Sequence, residues 1–119
     1  MNLVVIKGRL SRDPEVRTTQ SGTQYARLSI AVDRPTKQGE ERKADFFPCI
    51  AWGETADFIG NYFTKGKEIL AKGRIQTGKY TTESGENRYT TDVVIDRVEF
   101  CGSKGSGANN AQAEDPIPF

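Results

Sequence analysis

Histidine is absent from this 119-residue chain, and there are only two cysteines, one tryptophan and one methionine. The commonest general base and a frequent metal ligand are therefore missing. The Asp and Glu residues are scattered through turns instead of converging on one place, and Ser84 has no recognisable base partner. These gaps predict a protein that is not an enzyme and that holds neither a cofactor nor a metal ion.

The two cysteines, Cys49 and Cys101, are widely separated and lack the Cys-x-x-Cys spacing of metal and redox sites. We expect both to be reduced, structural thiols. Long apolar runs are missing as well, since none approaches the roughly 20 residues of a membrane span, and residues 1–7 do not resemble a signal peptide. The sequence therefore predicts a cytoplasmic protein with no membrane partner.

An excess of either charge is lacking too. The chain has 17 Lys and Arg residues against 16 Asp and Glu, a net charge of +1, whereas many nucleic-acid binders are strongly basic. Any attraction to phosphate must come from local clusters of basic side chains. The length suits one domain of about 100 residues, and the 12 glycines indicate many turns rather than long helices.

What the chain does have is a strand-like stretch, 45–52, whose two faces are both apolar. Strand alternation gives it two faces: Phe46, Pro48, Ile50 and Trp52 on one, and Phe47, Cys49 and Ala51 on the other. A strand that lines a core on one side normally carries polar residues on the other. The face with Phe46 and Trp52 is therefore either covered by a second layer or built to bind flat ligands, and this segment alone leaves both interpretations open.

The remaining pattern is mostly that of strands and turns. Apolar alternation predicts strands at 3–10, 25–32, 68–76, 77–82 and 87–100, with turns at 11–15, 18–23 and 83–86. A single helix is predicted at 55–65, ending near Gly66, and 33–44 has the composition of a long charged loop. Pro48 places its strand at a sheet edge or a bulge, and Gly73 permits a sharp bend.

Five or so strands with one helix between the third and the fourth is the order of a small OB-type barrel. The predicted fold is thus all-β with one short helix: a five-stranded Greek-key barrel with extended hairpins, covering residues 1–101. Residues 102–113 consist of Gly, Ser, Asn, Gln, Ala and Lys, a composition that predicts a disordered linker. Residues 114–119 form an apolar, acidic, proline-stiffened tip.

Four stretches together resemble the bacterial single-stranded DNA-binding protein family: GRLSRDPEVR at 8–17, DFFPCIAWG at 45–53, RYTTDVV at 88–94 and DPIPF at 115–119. They occur in the family's order. The resemblance runs from Leu3 to about Cys101 and resumes at the last few residues.

The resemblance implies a cytoplasmic, nucleoid-associated OB-fold protein that assembles as a homotetramer. Such a protein coats single-stranded DNA without sequence preference in replication, recombination and repair. By position, the resemblance assigns base stacking to Phe46, Trp52 and Tyr80, and it assigns the recruitment of replication and repair enzymes to Asp115, Pro116, Ile117, Pro118 and Phe119. For the phosphates we expect contacts from Arg34, Lys65, Arg74, Lys79 and Arg9.

The sequence also departs from the family's pattern. Tyr80 stands where many relatives have Trp, and Pro48, Glu54 and Gly78 replace positions that are often basic. Fewer phosphate contacts, and a shallower salt dependence, are therefore expected. An RNA-binding OB module stays open as an alternative, because single-stranded RNA offers the same stacking surfaces. The ending Ile117-Pro118-Phe119 counts against it, since a pure binding module has no need of such a tip.

Overall fold

A computed structural model of the protein describes residues 1–101, which form six strands and one helix. The elements in chain order are β1 (Val4–Leu10), β2 (Glu15–Thr18), β3 (Gln24–Asp33), β4 (Ala44–Trp52), α1 (Gly53–Tyr62), β5 (Glu68–Thr81) and β6 (Asn87–Phe100). The predicted linker at 102–113 and tip at 114–119 lie outside the described residues. Between residues 1 and 101, no helix is long and apolar enough to cross a membrane.

Five of the strands close into a ring in the order β1-β5-β6-β4-β3. The ring closes where Arg9 and Leu10 of β1 pair with Ala31 and Ile30 of β3. All neighbours run antiparallel except β4 and β6, which are parallel. The predicted OB-type barrel with one short helix is confirmed.

The inside of the barrel follows the alternation seen in the sequence. Its fully buried side chains include Leu10, Leu28, Ile30, Cys49 and Ile69. Helix α1 adds Ala56 and Ile59, both fully buried against this cluster, and Phe63 joins them directly after the helix. The predicted inward face of β4 is confirmed, because Cys49 and Ala51 are buried and Phe47 packs against the core.

Two glycines allow the barrel to bend and close. A Cβ atom at Gly73 would lie 1.9 Å from the carbonyl oxygen of Val94, and one at Gly8 would lie 2.3 Å from that of Ala31. Gly73 also follows a register shift in the β5–β6 ladder, which leaves Asp96 as the extra residue of β6. The bulge keeps apolar residues pointing inward on both sides of it, so the bend predicted at Gly73 is confirmed.

Strand β2 was missed by the sequence analysis, which assigned its surroundings to turns. It pairs with Gln24 to Arg27 of β3, and β1 pairs with Ile30 and Ala31 farther along the same edge of β3. All four residues of β2 are exposed, so the segment carries no apolar alternation. Its ladder with β3 is a tertiary interaction that a pattern of buried residues cannot reveal.

The predicted helix at 55–65 is also corrected, since α1 spans Gly53–Tyr62. Phe63 has an extended backbone and turns its ring into the core, which ends the helix three residues early. Gly66 does have the expected positive φ, 86°. It lies in the following turn, however, where its N–H donates to the carbonyl of Leu10 at 2.8 Å.

Candidate nucleic-acid interface

The outer face of the β3–β4 pair carries the rings that the sequence singled out. Paired residues of neighbouring strands share a face, and Trp52 pairs with Tyr25 while Phe46 pairs with Ala31. The Trp52 and Tyr25 rings contact each other, with centroids 5.3 Å apart and planes tilted by 39°. Phe46 and Trp52 are both exposed. Within the part of the chain that the structure describes, no second layer covers either ring.

The same face continues across β6 onto β5. Ile50 of β4 pairs with Val94 of β6, which pairs with Arg74 of β5. Because the alternation is unbroken from Arg74 to the end of β5, Tyr80 lies on this face as well, opposite Arg88. The registers thus place Phe46, Trp52, Arg74 and Tyr80 on one outer face, which we call the ring face, with Tyr80 toward the tip of the β5–β6 hairpin.

Arg34 lies at the end of β3, in a loop position held by Asp45. Its Nε donates to the two carboxylate oxygens of Asp45 at 2.9 and 3.0 Å, and its Nη2 donates to Oδ1 at 2.7 Å. The hydrogen bond from Arg34 holds the pKa of Asp45 below its usual value. Asp45 and Phe46 are adjacent in β4, so their side chains point to opposite faces, and the Arg34–Asp45 pair lies on the face opposite the Phe46 ring.

Three other predicted phosphate contacts, Arg74, Arg9 and Lys65, lie on the ring face or at its margin. Arg74 donates from Nη2 to Oε1 of Gln76 at 3.0 Å, on the ring face. Arg9 pairs with Ala31, two strands from Phe46, and its Nη1 donates to the carbonyl of Gly66 at 3.0 Å. Lys65 is next to Gly66, in the turn after α1, so it lies beside Arg9 at the margin of the ring face.

Lys79 departs from this grouping. It pairs with Tyr89, one residue out of step with Tyr80 and Arg88, so both Lys79 and Tyr89 lie on the reverse side of the β5–β6 hairpin. The sequence analysis placed Lys79 and Tyr80 in one site. In a strand, adjacent residues point to opposite faces, so the structure separates them.

Several side chains of the ring face were absent from the predicted set. They are Tyr25, which contacts Trp52, and the guanidinium-bearing residues Arg17, Arg27 and Arg88. Tyr25 and Arg27 could have been found, because the alternation of β3 already points them outward. Arg17 could not, because β2 itself was not recognised.

The ring face exposes aromatic rings and guanidinium groups. No group of three or more His, Cys, Asp or Glu residues within 1–101 could hold a metal ion. Cys49 and Cys101 are free thiols. Burial, followed by the nearby charge of Asp92, raises the pKa of Cys49 to about 12, so this thiol stays protonated at neutral pH.

Comparison with known proteins agrees with this geometry. The model of the single-strand binding protein family matches residues 1–101. The chain is 50% identical over 109 residues to the single-stranded DNA-binding protein of Fusobacterium nucleatum, covering 89% of this chain and 70% of the relative. It is 42% identical over 126 residues to that of Clostridium tetani, covering 100% and 86%. A chain that matches the family along its whole barrel belongs to the single-strand binding protein family.

Proposed function

We propose that this protein binds single-stranded DNA without sequence preference. Bases stack on the rings of the ring face, and guanidinium groups beside the rings contact the phosphates. The observation that carries the proposal is the exposure of Phe46, Trp52 and Tyr80 on one outer surface that also holds Arg74. Stacking contributes ~1–3 kcal/mol per base and tolerates every base, because each has a π-face. Relatives named single-stranded DNA-binding protein support the same ligand.

A catalytic role is not part of the proposal. The ring face offers stacking surfaces and cations, whereas hydrolysis of a phosphodiester requires a positioned base, nucleophile or metal.

We propose that the protein coats and protects single strands in the cytoplasm during replication, recombination and repair. Coating needs no reaction, only affinity that does not depend on base identity.

We further propose that the protein acts as a homotetramer. Leu3, directly before β1, and Val5 of β1 are both exposed. Val4 to Gly8 form an edge that pairs only with β5 among the described strands. An unpaired strand edge flanked by apolar side chains is a surface that symmetric association can cover. Light scattering at micromolar concentration should give a mass of about four chains, and a monomer mass would contradict this part of the proposal.

The tip, Asp115 to Phe119, is proposed to recruit replication and repair enzymes. An apolar ring preceded by acidic residues suits a pocket rimmed by Arg or Lys. Removing residues 114–119 should leave oligothymidylate binding intact or slightly stronger, because an acidic segment no longer competes for the basic surface. The truncated protein should no longer capture DNA-processing enzymes from a bacterial lysate, and unchanged capture would contradict the recruiting role.

The central test uses the one tryptophan of the chain. Stacking of bases on Trp52 should quench its fluorescence on titration with oligothymidylate, and a duplex of equal length should give no comparable quenching. Titration with oligouridylate separates the DNA proposal from the RNA alternative, because tighter binding of the RNA would favour the latter. Failure of oligothymidylate to quench Trp52 or to bind would contradict the proposed function.

A further inference from the structure

The ring face does not end at Tyr25. Strand β2 continues it, because Tyr25 pairs with Arg17 just as it pairs with Trp52 on its other side. Trp52, Tyr25 and Arg17 therefore form one row across three strands, two rings followed by a guanidinium. A strand of DNA whose base stacks on Trp52 would carry its backbone onto β2 if it runs along this row.

The neighbouring row places a second cation on the same surface. Ile50 of β4 pairs with Arg27 of β3, and Arg27 pairs with Glu15 of β2. Arg12, in the turn before β2, is close enough for its charge to act on the same carboxylate. The pKa of Glu15 lies below its usual value, first through the hydrogen bond and charge of Arg17 and then through the charges of Arg12 and Arg27.

One of these guanidiniums, that of Arg17, contacts the carboxylate of Glu15 directly. Arg17 donates from Nε to Oε2 of Glu15 at 3.0 Å, and its Nη2 contacts the same oxygen. Both side chains remain exposed, with 63% of Arg17 and 52% of Glu15 accessible. An anion held by a guanidinium at the end of a row of rings occupies the position that a backbone phosphate would need.

We infer that Arg27 of β3 and Arg17 of β2 extend the DNA-binding surface across these two strands, and that Glu15 holds Arg17 in place of a phosphate until DNA displaces it. The inference rests on the proposed function and adds that a carboxylate limits the affinity for DNA. A phosphate must compete with the carboxylate for Arg17, so Glu15 lowers the affinity for DNA. Removing the carboxylate should tighten binding, and removing the guanidinium should weaken it.

The chain contains a matched control for this pair. Arg97 and Glu99 of β6 also stand two residues apart in one strand, with Nη2 of Arg97 3.0 Å from Oε2 of Glu99 and accessibilities of 68% and 52%. Arg97 pairs with Lys72 of β5, which pairs with Val5 of β1, so it lies on the outside of a different part of the barrel. The two pairs have the same sequence spacing and similar exposure and differ in position, since Arg97 lies on the side of the proposed assembly surface and not beside the rings.

The test measures oligothymidylate affinity by fluorescence anisotropy at several salt concentrations. For single strands, log K falls with log salt by about 0.7 per phosphate contact, so one contact is worth about fivefold between 1 M and 0.1 M salt. Arg17→Gln should lose about 0.7 from this slope and bind about fivefold more weakly at 0.1 M salt. Arg17→Lys should keep most of the slope, and Arg97→Gln should bind as the parent does.

Glu15→Gln should bind more tightly than the parent, while Glu99→Gln should not. The inference is overturned if Arg17→Gln matches Arg97→Gln, or if Glu15→Gln binds no more tightly than Glu99→Gln. Trp52→Ala in the same assay distinguishes failure of this inference from failure of the proposed function. Normal affinity in that variant would show that the ring face is not the DNA-binding surface. Thermal melts and light scattering of each variant confirm that folding and assembly are unchanged.

Discussion

Two groups of aromatic side chains lie on this barrel, and each contains rings that are about half exposed. The sheet rings are Phe46, Trp52, Tyr25 and Tyr80, and the helix-side cluster is Phe58, Tyr62, Phe63 and Phe100. Trp52 is 46% exposed, against 53% for Tyr62 and 52% for Phe100. If exposure alone marked a binding surface, Tyr62 and Phe100 would be as good candidates as Trp52.

The groups differ in what their ring faces touch. In the helix-side cluster every ring packs on another, with centroids from 4.9 Å for Phe58 and Tyr62 to 6.1 Å for Phe58 and Phe63. Lys67 lies over Phe100 and Phe63, 5.0 and 5.8 Å from their centroids. Among the sheet rings, only Tyr25 and Trp52 contact each other. The faces of the helix-side rings are covered by other rings and by Lys67, whereas the sheet rings leave faces open to a ligand.

The largest expected effect is on the helix-side cluster. Phe63→Ala removes a ring that is fully buried and stacked on Phe100 at 5.0 Å, so it should lower the free energy of unfolding by ~3–5 kcal/mol. Urea denaturation of the variant measures the loss. The molecules that remain folded should bind oligothymidylate as tightly as the parent, and weaker binding by the folded fraction would break the distinction between the two groups.

Trp52→Ala should have the opposite profile. We expect binding of single-stranded DNA to weaken by ~1–3 kcal/mol, because a stacking face is lost. The unfolding free energy should change by less than about 1 kcal/mol, since the side chain is half exposed and leaves no closed cavity. Anisotropy of a labelled oligothymidylate measures the affinity. Tyr62→Ala, at a similar exposure, is the control and should keep full affinity.

The β5–β6 hairpin allows the comparison to be repeated within one element. Tyr80→Ala should weaken binding by about 1 kcal/mol, the lower end of the stacking range, since a single ring far from Trp52 is removed. Tyr89→Ala removes an exposed ring of the same type on the reverse side of the same hairpin and should have no effect on affinity. Equal losses in the two variants would mean that DNA contacts both sides of the hairpin.

Most of the fold could be predicted from the sequence because most strands bury one face. The alternation of Ala26, Leu28 and Ile30, for example, indicates both a strand and its inward side. The exceptions have physical causes. Strand β2 buries neither face, so only its ladder with β3 defines it, and α1 ends at Tyr62 because the core takes up the ring of Phe63.

The site was less predictable, because its groups are brought together by pairing between distant strands. Phe46 and Trp52 lie in one strand an even number of residues apart, so the alternation of the strand alone places them on the same face. The contact of Arg34 with Asp45 and the row from Trp52 to Arg17 depend on registers that the sequence does not state. The roles of the predicted site residues stay predictions until the variants above are measured.

The smallest expected effects distinguish a cation that neutral groups hold from one that a carboxylate holds. Lys67 interacts with two neutral rings and with the carbonyl of Tyr62, to which its Nζ donates at 2.9 Å. Lys67→Met should therefore cost about 0.5–1 kcal/mol of unfolding free energy. Its partners carry no charge that titrates in acid, so the cost should be similar at pH 7 and near pH 3.

Arg34 depends instead on an anion that does titrate. The pKa of Asp45 is lowered by the hydrogen bond from Arg34, so the pair stabilises the folded state above the unfolded-state pKa and is lost as the pH falls through the lowered value. The stability lost in Arg34→Gln should be small, because the pair is exposed, and should vanish in acid. Urea midpoints of both variants and the parent across this pH range measure the difference. A cost of Arg34→Gln that persists at the acid end would mean that Arg34 stabilises the fold through packing rather than through Asp45.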